Sequence, residues 1–205
     1  MAVVSPFCAV RYAHPEPAVV APPYDVIDAA SLAELRARSP LNVVHLTLAD
    51  DEEAAGDLFR KWLAEGFLVE DSEPAYWVLA QDFVGPDGVA RHREGIVASL
   101  RLEPYASHVV LPHERTHAGP KASRLRLLRA ARAQLEPIFL LFDGEAPLVP
   151  PGRPPDLEAE GTRLWRIEDD GSVSAFFAER QLLIADGHHR YETALALHEE
   201  ELSAA

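Results

Sequence analysis

The sequence predicts an α+β fold: a mixed sheet with an antiparallel hairpin, packed helices, and a strand-turn-helix near the C-terminus. Two observations carry this. Residues 76–84 and 89–102 are β-rich runs on either side of Gly85-Pro86-Asp87-Gly88, a hairpin pattern that brings antiparallel pairing. Elsewhere, segments with helical apolar spacing are interspersed with isolated strands, without the regular strand-helix alternation of a doubly wound sheet. The expected organisation is one α+β domain over residues 1–205, with a proline-rich linker at 146–155 and no internal repeat.

In chain order, residues 3–12 read as a strand. The prolines from His14-Pro15-Glu16-Pro17 to Ala21-Pro22-Pro23-Tyr24-Asp25-Val26 fix an extended loop that presents Tyr24 and Asp25 as substrate-binding candidates. Asp28 or Ser31 caps a helix running to about Arg38, and residues 42–48, rich in β-branched side chains, read as a strand. Acidic residues 50–53 open a helix that carries Leu58, Phe59, Trp62 and Leu63 and ends near Gly66. After the hairpin, residues 96–100 read as a central strand, 109–112 as a short strand, and Lys121 or Ser123 as the start of a helix to Gln134. Leu125, Leu128, Ala131 and Leu135 are its expected packing residues, and Arg126, Arg129 and Arg132 form a basic stripe. Residues 137–142 read as a buried strand, 163–167 as another, and a short helix lies about Phe176 and Phe177.

The formal net charge is −14, which argues against nucleic acid as a partner, because a phosphate backbone demands a broad basic face. The charge is uneven: residues 113–132 carry a local balance of +5, suited to a compact anionic ligand. No apolar run reaches membrane-span length and the N-terminus lacks signal-peptide character, so a cytoplasmic protein is expected. The one cysteine, Cys8, excludes an internal disulfide framework and reads as a buried core thiol.

The stretch on which function centres is Leu182-Leu183-Ile184-Ala185-Asp186-Gly187-His188-His189-Arg190-Tyr191-Glu192-Thr193-Ala194-Leu195. A short apolar strand gives way to a helix across Gly187. The first turn of such a helix offers unclaimed N–H groups, Gly187 permits close approach, and Arg190 adds a forked cation. His188 and His189 add donors or a titratable base.

Residues 185–195 resemble the signature of the domain of unknown function 1015 family. Pro22-Pro23-Tyr24-Asp25-Val26 and Pro112-His113-Glu114-Arg115-Thr116, followed by Lys121 and Arg124, resemble two further passages of it. Ser123 departs from the acid that commonly precedes the residue aligned with Arg124. The turn is also similar, more distantly, to the Gly-x-His-Arg phosphate-binding turn of the ParB/sulfiredoxin-like superfamily, which includes nucleotide-binding proteins and free-serine kinases. Sulfiredoxin chemistry is not expected, because its motif carries a reactive cysteine where His188 stands. Family members are longer than this chain, so the expectation is an N-terminal half or a shortened relative, completed by a C-terminal half or a second copy.

These readings imply a phosphotransferase that binds ATP, ADP or pyrophosphate, with Mg2+ as a companion ion, and acts on a small hydroxylated metabolite such as serine. Gly187, His188, His189, Arg190, His113, Arg115, Lys121 and Arg124 are the cofactor-binding candidates. Glu114 leads the candidate bases, ahead of Asp186 and Asp25, with His189 a further catalytic candidate. A non-catalytic nucleotide-binding regulatory module is the alternative. His113-Glu114-Arg115-Thr116-His117 also fits the H-E-x-x-H pattern of zinc hydrolases. Pro112 before it and Gly119-Pro120 after it leave little room for the helix that chemistry needs, and no metal ligands are assigned.

Overall fold

The structure, a computed structural model, describes residues 1–114 and 118–204. The chain begins with β1 (Val4–Ser5) and β2 (Val10–Tyr12), then α1 (Ala29–Arg38), α2 (Val44–Thr47) and α3 (Glu52–Ala64). Strands β3 (Leu68–Glu70), β4 (Tyr76–Val84), β5 (Ala90–Val97), β6 (Ser99–Leu100) and β7 (Val110–Leu111) follow. The remainder comprises α4 (Ala118–Ala131), β8 (Phe139–Leu141), β9 (Leu157–Ala159), β10 (Thr162–Ile167), α5 (Ser172–Phe177), β11 (Leu182–Asp186) and α6 (His188–Ala204). Helices with antiparallel and mixed sheets make this an α+β protein. Among the described residues, no helix is long and apolar enough to cross a membrane. Contacts divide the chain into two units: residues 1–17, 69–101 and 143–180 form one, and 18–68, 102–142 and Gln181 onward the other.

In the first unit an antiparallel sheet runs in the order β5-β4-β10-β9. The hairpin is present, with β4 and β5 paired from Trp77↔Val97 to Val84↔Ala90. Burial of Val78, Ala80 and Trp165, with Leu148 and Ile167 against them, forms this unit's core. The expectation that residues 96–100 form a central strand is not met. β5 is an edge strand because Arg91, His92, Arg93 and Glu94 need solvent, and after Val97 the chain leaves the sheet, so β6 pairs with β1 instead. Residues 146–155 are irregular, as their prolines require, yet packed: the Trp165 indole N–H donates to the Arg153 carbonyl at 2.9 Å. Cys8 is exposed rather than buried. Pro6 breaks the first strand, and the inward position falls to Ala9.

In the second unit β7, β11 and β8 form a sheet with β11 in the middle, parallel to β7 and antiparallel to β8. Helix α3 starts at Asp51, whose carboxylate accepts from the N–H groups of Glu53 and Ala54. It lies so close to α4 that a Cβ at Gly56 would come within 2.5 Å of the Ala130 carbonyl oxygen. Residues 42–48 are not a strand: α2 occupies most of them. The fully buried Asn42 accepts from the Val44 N–H and donates to the carbonyls of Ala18 and Val20, starting a helical turn that overrides β-propensity. The expected start and end of α4 also move. It is already helical at Ala118, ahead of the expected start, and it stops at Ala131 because Arg132 turns left-handed at φ 55°. Leu127, Ala130 and Ala131 are its buried residues, while Leu125 and Leu128 are half-buried. β8 is not buried as expected: Phe139 and Leu141 lie on its open face.

Candidate functional site

Strand β11 ends at Asp186 and α6 begins at His188, so the turn rests on Gly187, whose φ of 94° is a left-handed value that other residues resist. A Cβ there would lie 2.9 Å from both Nε and a terminal nitrogen of Arg190, which folds back over the turn and pairs with Asp186. The helix closes its first bond from the Tyr191 N–H to the Gly187 carbonyl at 2.9 Å, so the N–H groups of residues 188–190 precede the helical ladder. Tyr191 anchors this start. It is fully buried, stacks on Tyr105, donates to the Glu103 carbonyl at 2.7 Å and accepts the Glu103 N–H at 2.9 Å.

His188 and His113 form an interlocked pair. The His113 backbone N–H donates to His188 Nε2 at 3.2 Å, the His113 ring holds the Ile184 carbonyl through Nδ1 at 2.6 Å, and the rings meet edge to face. A carbonyl only accepts, so His113 Nδ1 carries a proton. An N–H only donates, so His188 Nε2 carries the lone pair and its proton sits on Nδ1. His188 is 1% exposed, and burial pushes its pKa down, opposed by Glu114, which keeps the ring neutral near pH 7. Glu114 Oε1 stands 3.0 Å from this Nδ1 but out of line for a hydrogen bond, which leaves the proton without an acceptor. Arg190 Nε, in a side chain 10% exposed, is likewise buried without one.

Donor atoms of His113, Glu114 and His188 lie within 4.8 Å of one another, a spacing a metal ion could bridge. The tautomer argues against that use. The lone pair of His188 is engaged by a backbone N–H, and the nitrogen facing Glu114 is protonated, so it has nothing to give a cation.

The proline-rich loop contributes a short 3-10 turn, Tyr24–Val26. The Arg124 guanidinium lies over the Tyr24 ring at 4.2 Å and that of Arg190 lies 5.9 Å from the same ring centre. Glu136 holds this turn by accepting the Tyr24 N–H at 3.3 Å, and its other oxygen stands 3.7 Å from Arg124. Tyr24, Arg124, Glu136 and Arg190 therefore form one cluster, with Asp25 exposed beside it.

The sequence pattern of the family described as Protein of unknown function (DUF1015) matches residues 4–205. The chain belongs to that family. No curated protein and no solved structure is significantly similar to it. In this DUF1015 chain the three passages singled out in the sequence meet: residues 22–26 through Tyr24, 112–124 through His113, Glu114 and Arg124, and 182–195 through the turn. Arg115 and His117 lie outside the described residues, as does the side chain of Lys121. His113 and Glu114 are not helical, and His117, the second histidine of the H-E-x-x-H pattern, is not among the described residues. The basic stripe is neutralised within the unit. Arg126 binds Glu52, Arg129 binds Glu200 and Arg132 binds Glu201, while Ser123 donates to Glu52. His189 sits in the first turn of α6, and its carbonyl accepts the Thr193 hydroxyl. Sequence reasoning missed Glu136. An acid just before Pro137 gives no sign that it meets Tyr24 from 112 residues away.

Proposed function

We propose that this DUF1015 chain binds a phosphate-bearing ligand, ATP, ADP or pyrophosphate, at the Gly187 turn and transfers a phosphoryl group to a small hydroxylated metabolite. The observation that supports this most is the pair of buried, acceptor-less donors, His188 Nδ1–H and Arg190 Nε–H, on the first turn of α6. A buried donor left unmade costs roughly 1–3 kcal/mol, so two of them beside a helix start favour a ligand that brings oxygen acceptors. Phosphate is such a ligand, and Arg190, whose terminal nitrogen pairs with Asp186, still offers it the Nε–H of a charged guanidinium. Arg124 stands ready for a second phosphoryl group.

In the transfer, an acceptor hydroxyl attacks the terminal phosphorus, the bond to the bridging oxygen breaks, and ADP leaves from ATP, AMP from ADP or phosphate from pyrophosphate, with those electrons. Glu114, exposed at the turn, takes the hydroxyl proton. Asp186 is less suited, because Arg190 already pairs with it. Mg2+ would serve as the counter-ion of the nucleotide, and a cytoplasmic setting belongs to the same proposal. Serine as acceptor rests only on the likeness of the turn to ParB-like kinases.

The test is thermal unfolding with ATP, ADP, pyrophosphate and phosphate, with and without Mg2+, on the wild type and Arg190→Lys. Ligand at ~100 times its Kd stabilises by roughly 2.7 kcal/mol, a shift of about 5–11 °C for a chain of this size. The expected outcome is such a shift, reduced in the variant and accompanied by acceptor-dependent release of ADP, AMP or phosphate, according to the donor. Binding without turnover with any hydroxylated acceptor would favour the regulatory-module alternative. No shift with any phosphate compound would overturn the anion site.

A further inference from the structure

We propose that Glu136 is a positioning residue that couples anion binding to proton uptake: its carboxyl, lodged between the Tyr24 backbone and Arg124, is protonated from solvent when Arg124 and Arg190 receive an anion. This rests on the anion-binding reading of the turn. Glu136 is 16% exposed, and its contact with Arg124 at 3.7 Å is too long for a hydrogen bond. The carboxylate therefore restrains the cation by charge without satisfying its N–H groups, which remain available to a better-placed oxygen.

The groups facing Glu136 come from three elements: Tyr24 and Asp25 from the 3-10 turn, Arg124 from α4 and Arg190 from α6. Burial pushes its pKa above the ordinary carboxylate value, against the pull of Arg190, the Tyr24 N–H and Arg124, while Asp25 pushes it further up. The ionised form is thus already disfavoured. An anion held by the two arginines adds like charge beside the carboxylate and raises the pKa again. The proton goes to the oxygen nearer Arg124, since the other accepts the Tyr24 N–H. Neutral Glu136 then leaves Arg124 to the ligand. Between the pKa values of the free and bound states one proton is taken up per anion, and affinity rises as pH falls by up to about tenfold per pH unit.

Sulfate is the probe, because it is a tetrahedral dianion that does not itself titrate between pH 5 and 8. Its Kd is measured across that range by NMR titration on the wild type, Glu136→Gln and Glu136→Asp. Wild-type affinity should tighten toward low pH. Glu136→Gln, which can still accept the Tyr24 N–H, should bind more tightly than the wild type at pH 8 and lose the part of the pH dependence that Glu136 supplies. Glu136→Asp, ionisable but shorter, should show a displaced pH profile and stands as the test if the glutamine variant fails to fold. Sulfate binding with the same pH profile in wild type and variants overturns the role of Glu136 alone. Failure of both sulfate and phosphate to bind the wild type at any pH overturns the anion site, and this inference with it.

Discussion

Gly187 carries the turn, and its replacement separates backbone from ligand effects. In Gly187→Ala the left-handed φ costs roughly 1–2 kcal/mol, and the new Cβ displaces the Arg190 guanidinium it would otherwise meet at 2.9 Å. We expect a loss of about 1–3 kcal/mol in urea unfolding together with loss of the phosphate response; an unchanged urea midpoint would show that the turn has another conformation open to it. Gly187, His188 and Arg190 stand out in the sequence because glycine, histidine and arginine in a strand-to-helix turn suggest a donor-rich corner, whereas Tyr24 was singled out by the proline-rich loop and Arg124 by the family resemblance. What they do there was not legible. The tautomer of His188 is set by a backbone N–H 75 residues away, and Glu136 joins the cluster across 112 residues. No local spacing encodes either.

The central strand of the second unit shows how an apolar run misleads at the level of one element. Residues 182–184 are apolar throughout, yet in β11 Leu182 and Ile184 face the core while Leu183 points outward at 38% exposure, opposite Leu141. With β7 and β8 on either side, the strand alternates as one-sided strands do. Ile184→Ala should therefore cost about 2–5 kcal/mol and Leu183→Ala within about 0.5 kcal/mol. Comparable losses from both, read from denaturant midpoints, would mean the outer face is covered. The same limit explains α2. A β-branched run was read as strand because the hydrogen bonds of Asn42, which decide the matter, reach back to residues 18 and 20.

Across the whole molecule, charge read from a sequence window is not charge on a surface. The +5 segment suggested a basic island for a compact anionic ligand, but Glu52, Glu200 and Glu201 close most of its stripe. The α+β class and the hairpin were legible because turn chemistry and periodicity are local signals. The pairing partners of β1, β6, β8 and β9 were not, since those strands are too short for a pattern to specify one neighbour. The many carboxylates also set the acid limit of the fold. Hydrogen bonds from Ser31, Arg126, His92, Arg91, Arg153 and Ser172 hold Asp28, Glu52, Asp82, Asp87, Asp156 and Asp170 below their ordinary pKa values, Asp87 at about 2. Folded values below unfolded ones mean a contribution present above ~pH 4 and lost as pH falls toward about 2, with Glu136, raised by burial, working the other way. Denaturant midpoints should hold from pH 7 to 5 and fall between pH 4 and 2; a flat profile to pH 2.5 would contradict these pairings. One more consequence follows from Cys8, the sole thiol of the chain and exposed. It is a native attachment point for a single maleimide dye or spin label, so the protein can be tagged at one defined position without mutagenesis.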